Sequence, residues 1–280
     1  LAGLAHGGGK AVILGDPHQK SRQELLNYGT LIESLGGKYV TAGDVGMQVA
    51  DMDVLGETSQ FVTGRSPEKG GVGDSGILTA LGIWQGMQAC VEYLSGSNDL
   101  SGVTVGVIGA GKVGGRLIGH LIEAGGARVI AMDPVASVRA DLSATYPDLV
   151  FVNSFAEMLN CGPTIISPNA MGGFITPELV PQLASVGVSL VCGGANNQLA
   201  APEVGDLLAA ASILYAPDFM VNCGGVIQVA EELVGANVER ARAQVMQVYP
   251  TTLAVLESAA KARITPVAAA EAAAWARINS

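Results

Sequence analysis

Residues 103–133 constrain the fold more than any other part of this chain. Val103-Thr104-Val105-Gly106-Val107-Ile108 is a β-branched run with the composition of a buried parallel strand. Gly109-Ala110-Gly111-Lys112-Val113-Gly114 then turns the chain into a segment with Val113, Leu117, Ile118, Leu121 and Ile122 on one helical face. A second strand over 128–132 ends at Asp133. Strand, glycine turn, helix, strand and an acid about 20 residues beyond the turn make a dinucleotide fingerprint in its required context. Gly109 permits the sharp turn, Gly111 lets backbone approach a pyrophosphate, and Gly114 lets the helix pack closely on the strand. The unpaired N–H groups of Lys112, Val113 and Gly114 at the helix start suit a diphosphate. Asp133 can accept from a ribose 2′-hydroxyl and repels a 2′-phosphate, which predicts NAD rather than NADP. The plainer reading is a glycine-tolerant strand-to-helix turn with Asp133 as a loop cap. Both strands and the acid in register weigh against it.

The chain has 280 residues, enough for one large or two ordinary domains. Its apolar share of 49% predicts a substantial core, but aromatics at 5% leave Val, Leu, Ile, Ala and Met to build it. A net charge of −10 argues against nucleic acid and against anionic membranes as partners. No apolar run approaches the ~18 residues of a membrane span, and no basic segment precedes an apolar one at the start. The expected location is the cytoplasm. Cys90, Cys161, Cys192 and Cys223 are widely spaced, which suggests buried thiols rather than disulfides or a zinc site, and no metal is expected.

Alternating patterns predict an α/β protein: a doubly wound Rossmann domain, a smaller α/β substrate domain, and C-terminal helices. Residues 1–75 form the first region, with strands over 11–14 and 38–42 and helices over 21–34 and 48–55, the last carrying Asp51 and Asp53 as solvated acids. Ser21 and Glu24 have capping-box spacing, and Gly36-Gly37 should stop the first helix. Three glycines before Lys10 suggest backbone passing close to a ligand, and Asp44 stands between glycines at a strand end; each also has an ordinary turn reading. Residues 76–215 are the nucleotide domain, opened by a helix in which Gly82 and Gly86 permit close packing. Asn169, Asn196 and Asn197 fall at successive strand ends, where an amide can donate to one ring substituent and accept from another. Residues 216–280 are helices predicted to fold back on the cleft and the first region, the last started by Thr265-Pro266.

Five motifs together resemble the Glu/Leu/Phe/Val dehydrogenase family, and its branched-chain members most. They are Gly7-Gly8-Gly9-Lys10, Thr41-Ala42-Gly43-Asp44-Val45-Gly46, the fingerprint, Gly193-Gly194-Ala195-Asn196-Asn197-Gln198-Leu199, and Tyr215-Ala216-Pro217-Asp218 running on to Asn222-Cys223-Gly224-Gly225-Val226-Ile227. The resemblance implies reversible oxidative deamination of an L-amino acid to a 2-oxo acid and ammonia with NAD, in a homo-oligomer such as a dimer or octamer. Lys10 then resembles the lysine that activates water, and Asp44 the acid–base group. Asn196 is similar to the residue near the substrate amine and the nicotinamide, with Thr79, Asn169 and Asn222 also on the cofactor beside Gly109, Gly111, Lys112, Val113, Gly114 and Asp133. Ala42, Val226 and Val229 match positions that line an aliphatic side-chain pocket.

Three departures accompany that resemblance. The family lysine that holds the substrate carboxylate would stand just ahead of Leu1, with further strands before it, so the chain is expected to be a fragment or to lack that contact. Ser75-Gly76-Ile77 replaces the usual Pro-Ser-Pro, and Ser167-Pro168-Asn169 replaces Ala-Pro-Cys. The alternatives are an aromatic L-amino acid dehydrogenase and a truncated, non-catalytic NAD-binding homologue. A hydroxy-acid dehydrogenase would want a histidine base at a strand end, and His6, His18 and His120 are poorly placed for that.

Overall fold

A computed structural model describes residues 1–279. The chain groups into two compact units, one of Gly3–Ser75 with Gly225–Gln244, the other of Leu1–Ala2, Gly76–Gly224 and the chain from Val245 on. In the first, α1 (Arg22–Ser34) begins with the expected capping box between Ser21 and Glu24. Gly36 and Gly37 follow at φ +58° and +80°, a backbone region that glycine reaches without strain. α2 (Val49–Leu55) crosses α1 where Gly29 has no side chain; a Cβ there would lie 2.7 Å from the Leu55 carbonyl oxygen. Leu25, Met52, Leu55 and Val62 make the small core between them.

Two expectations fail here. The 38–42 run forms only a single parallel bridge, Thr41 to Val62, and 11–14 forms no strand. Val12, Ile13 and Leu14 are 76%, 58% and 95% exposed. β-branched composition makes a strand only where a neighbour supplies the ladder, and among the described residues none pairs with this one. Nor are Asp51 and Asp53 solvated acids. Asp51 pairs with Lys20 at 2.6 Å and accepts from the Gln48 N–H at 2.7 Å, and Asp53 accepts from the Ser66 N–H at 2.8 Å. Two residues apart on a helix, they lie on different faces, and their spacing does not show what folds over either.

In the second unit, α3 (Gly76–Ser95) is buried along most of its length. The sheet follows: β1 (Thr104–Ile108), α4 (Gly114–Gly119), β2 (Arg128–Met132), α5 (Ala136–Thr145), β3 (Val150–Phe151), α6 (Phe155–Asn160), β4 (Ile165–Pro168), α7 (Leu179–Ser185), β5 (Leu190–Val191), α8 (Val204–Ala210) and β6 (Leu214–Tyr215). All pairings are parallel in the order β3-β2-β1-β4-β5-β6, the expected doubly wound arrangement. The order reverses between β1 and β4, so a ligand crevice belongs at their carboxyl ends. The helix expected through 122 changes instead to a π turn over His120–Ala124. The wider turn lets His120 stack on Trp84 at 6.3 Å and passes Gly125 where a Cβ would lie 2.6 Å from the same indole.

α9 (Asp218–Val221) crosses α3 at Gly82 and Gly86, where Cβ atoms would lie 2.8 Å from the Val221 carbonyl oxygen and 2.4 Å from its side chain. α10 (Gly224–Ala230) and α11 (Val238–Val245) carry the chain through the first unit. There Glu232, with a side chain 2% exposed, accepts from the Gly64 and Val72 N–H groups at 2.7 and 2.8 Å through one oxygen. Gln228 donates to the Val72 and Asp74 carbonyls at 2.9 and 3.2 Å. α12 (Val248–Ala262) packs on α3, and α13 (Pro266–Ile278) starts with the Thr265 cap. Cys90, Cys192 and Cys223 are buried free thiols, and burial pushes Cys223 up to about 11. Among the described residues no helix is long and apolar enough to cross a membrane.

Two stability tests follow from this packing. Gly82→Ala forces backbone apart and is expected to cost about 1–3 kcal/mol, read as a lower denaturant midpoint. Burial raises the Glu232 carboxyl above its ordinary range. A raised folded-state value means that this group favours the fold below its unfolded pKa and loses that advantage as the pH rises. Glu232→Gln keeps the accepting oxygen and cannot ionise, so its stability relative to wild type should improve from about pH 4 to 8. Glu232→Ala leaves two N–H groups without their acceptor and is expected to lose about 1–3 kcal/mol throughout. Denaturant melts across that pH range check both; a pH-independent Gln difference would contradict the assignment.

Candidate active site

The glycine turn lies at the carboxyl end of β1. Gly109 has φ +86° and donates to the Met132 carbonyl at 2.8 Å. At Gly111 a Cβ would meet nothing within 4 Å, so the peptide faces open space. Gly114 is the opposite case: a Cβ would lie 1.9 Å from the Gly109 carbonyl oxygen. The turn therefore has the open face a diphosphate needs and cannot carry a side chain at its helix junction. Lys112 and Arg116 add positive charge along an adjoining groove that also contains Glu123 and Asp141. Val113 is the residue that leads into α4.

Asp133 is 9% exposed and ties this turn together. One carboxylate oxygen accepts from the Ala110 N–H and the other from the Val135 N–H, both at 2.8 Å. A carboxylate has about four acceptor positions, so two stay available for hydroxyls. The acid thus has the structural duty of the plainer reading without losing the capacity to bind ribose.

At the end of β4, Asn169 uses its amide on the protein itself. It donates to the Ser167 carbonyl and hydroxyl at 2.9 and 3.0 Å and accepts from the Gly194 N–H at 2.9 Å. Asn222 donates to the Gly194 carbonyl at 3.2 Å and to the Asn196 side-chain oxygen at 2.6 Å. Asn169, Asn196 and Asn222 are therefore brought together around one peptide, that of Gly194. Thr79 lies in the first turn of α3, where Gly224 packs with its Cβ position 3.0 Å from the Thr79 nitrogen.

Lys10, Asp44, Ala42, Val226 and Val229 all belong to the other unit. Lys10 Nζ and Asp44 form an ion pair with both side chains at least half exposed. Asp44 also accepts from the Val45 N–H at 2.8 Å. Ala42 and Val226 are exposed, and Val229 is half-buried with its methyl 3.9 Å from the Cβ position of Gly64. Sequence reasoning gave no role to Lys20, which bonds the Gly46 carbonyl as well as Asp51 and so braces the Asp44 turn. It also passed over Asp218 and Gln198, both buried under the Asn196 loop. The signal for both was their place in the quoted motifs, Asp218 after Pro217 and Gln198 after Asn197; a lone lysine offers none.

A doubly wound sheet with an open glycine turn at its switch point defines a dinucleotide-binding protein of the dehydrogenase type. Residues 1–72 match the family profile "Glu/Leu/Phe/Val dehydrogenase, dimerisation domain", and residues 135–280 match "Glutamate/Leucine/Phenylalanine/Valine dehydrogenase". A valine dehydrogenase of Streptomyces albus is 49% identical over 97% of this chain and 74% of that relative. A leucine dehydrogenase of Geobacillus stearothermophilus is 38% identical over 100% of this chain and 75% of its own length. The crystal structure of L-tryptophan dehydrogenase from Nostoc punctiforme superposes with a TM-score of 0.80 at 33% identity, covering 99% of this chain and 78% of that one. The chain belongs to the Glu/Leu/Phe/Val dehydrogenase family, whose members are NAD(P)-dependent amino acid dehydrogenases acting on CH–NH2 donors.

Because the Gly109 carbonyl fills the space a Cβ would need, Gly114→Ala should disrupt the turn. Dinucleotide affinity is expected to fall at least ~10-fold, about 1.4 kcal/mol, with the far-UV spectrum retained. Calorimetric titration with NADH checks it, and wild-type affinity would count against this turn as the diphosphate site.

Proposed function

We propose that the chain catalyses reversible, NAD-dependent oxidative deamination of a branched-chain aliphatic L-amino acid, giving the 2-oxo acid and ammonia. The observation that carries this reading is the Lys10–Asp44 ion pair, in a unit that also holds the apolar Ala42, Val226 and Val229. Relatives named for valine and leucine support the aliphatic choice. Those three side chains offer no partner for a glutamate carboxylate, whose unpaired burial would be costly. The negative charge of Asp133 supports NAD over a cofactor carrying a 2′-phosphate. The match of residues 1–72 to a dimerisation domain supports a homo-oligomer, and free buried thiols suit the cytoplasm.

In this mechanism the nicotinamide ring, when bound, supplies the hydride acceptor. Gly111, Lys112, Val113 and Gly114 would hold the diphosphate through backbone N–H groups, Gly109 would make the turn that presents them, and Asp133 would hold the ribose. Asn196, Asn169, Asn222 and Thr79 belong to the segments that orient the ring and the substrate amine. Lys10 Nζ polarises the water that attacks the iminium carbon of the oxidised amino acid and stabilises the developing negative oxygen. The Asp44 carboxylate takes the two water protons in turn, one as the water attacks and one as the carbinolamine collapses, and passes each to the departing nitrogen, which leaves as ammonium.

Steady-state assays with NAD and NADP against a panel of L-amino acids test the reading. The highest kcat/KM is expected for valine or leucine, with phenylalanine lower and glutamate lowest. Lys10→Ala and Asp44→Asn should each lower kcat by about 10²–10⁴ while NADH affinity is kept. NADH binding without turnover of any amino acid would favour the non-catalytic alternative instead.

A further inference from the structure

The loop over 193–197 is braced more heavily than a surface turn requires, and the braces converge on one short helix. Gln198, fully buried, donates to the Gly193 carbonyl at 2.7 Å and so fixes the start of the loop. Gly194 is held on both sides, by Asn169 at its N–H and by Asn222 at its carbonyl. Asn197 has φ +53°, a region that non-glycine residues enter at a cost and keep only where their surroundings impose it. The imposing group is Asp218. It accepts from the Asn197 N–H at 2.5 Å and, through its other oxygen, from the Tyr215 hydroxyl at 3.1 Å.

Asp218 is 9% exposed, and burying a carboxylate is expensive unless its oxygens are bonded. Its two bonds are both to groups that have nowhere else to go: a backbone N–H in a strained turn and a phenol that is 5% exposed. Burial and the neighbouring Asp218 charge also raise the Tyr215 phenol, which keeps it a donor throughout the working pH range. Asp218 opens α9, and its carbonyl accepts from the Asn222 N–H at 2.9 Å. One turn of helix thus grips Asn196 twice, through the next peptide by Asp218 and through its own side chain by Asn222. Asn222 takes one acceptor position of the Asn196 oxygen, which fixes the orientation of the amide and leaves its NH2 as a donor for a ligand.

We propose that Asp218, seconded by Tyr215, is a positioning residue that sets the Asn196 amide and thereby the affinity of the enzyme for the nicotinamide half of its cofactor. This rests on the reading above that Asn196 meets the nicotinamide. It does not extend to the adenosine and diphosphate half, which meets the glycine turn and Asp133.

The test compares NADH with ADP-ribose, which lacks the nicotinamide, by calorimetric titration of the full chain. Asp218→Asn should weaken NADH by ~3–10-fold and Asp218→Ala by ~10-fold or more, with ADP-ribose changed by less than ~2-fold. In an Asn196→Ala background, Asp218→Asn should add nothing to the loss of NADH affinity. Equal weakening of NADH and ADP-ribose would mean a general structural role and overturn the proposal. So would an unchanged NADH affinity in Asp218→Asn when Asn196→Ala is weakened. If Asp218→Ala does not fold, Tyr215→Phe removes one hydrogen bond at constant volume; ~2–5-fold weaker NADH with unchanged ADP-ribose supports the proposal, and wild-type NADH affinity overturns it. An Asn196→Ala variant that binds NADH as wild type does would instead sink the underlying placement of Asn196, and the proposal with it.

Discussion

The contact on which the dinucleotide-binding half depends is the approach of Gly114 to the Gly109 carbonyl. The space for a side chain there is already filled by backbone, since a Cβ would sit 1.9 Å from that oxygen. This closeness lets α4 start immediately after β1, and an immediate start aims the helix N-terminus at the switch point between β1 and β4. Asp133 then locks the turn from the neighbouring strand through the Ala110 N–H. The turn is therefore a product of backbone crowding, with the acid as its brace.

The opposite wall is built from amides. Asn169 and Asn196 follow β4 and β5 and Asn222 ends α9, yet they form one hydrogen-bonded cluster around Gly194. Gly194 is also closely packed, a Cβ falling 2.6 Å from Ile83 and 3.1 Å from Val113, but against side-chain ends rather than backbone. The cluster is only partly buried, and it ties three segments of the chain together.

The other unit is organised differently. Its small core between α1 and α2 leaves the lysine and the acid on exposed segments, joined by an ion pair. Their positions rest on polar braces: Lys20 holds the Asp44 turn through Gly46 and Asp51, and Glu232 and Gln228 hold the segment from Gly64 to Asp74. Exposed ion pairs of this kind contribute little to stability.

Local signals were enough for much of the architecture. The period of Val113, Leu117 and Ile118, the β-branched runs on either side, the Ser21–Glu24 cap and the Thr265-Pro266 start each follow from backbone sterics within a few residues, and each appears where the sequence places it. Gly82 and Gly86 were legible as close-packing positions, but that Val221 fills the gap was not. The run 11–14 shows the limit from the other side, because strand composition cannot supply a hydrogen-bonding neighbour. Asp51, Asp53, Glu232 and Asp218 show the same limit for charge: a carboxylate is solvated or buried according to which distant N–H groups reach it. The sequence by itself determined the sheet, its turn and the residue types available for chemistry, since these depend on local sterics and periodicity. Only the tertiary structure decided which acids became braces and which amide was left with a free donor, because those outcomes depend on contacts between residues far apart in the chain.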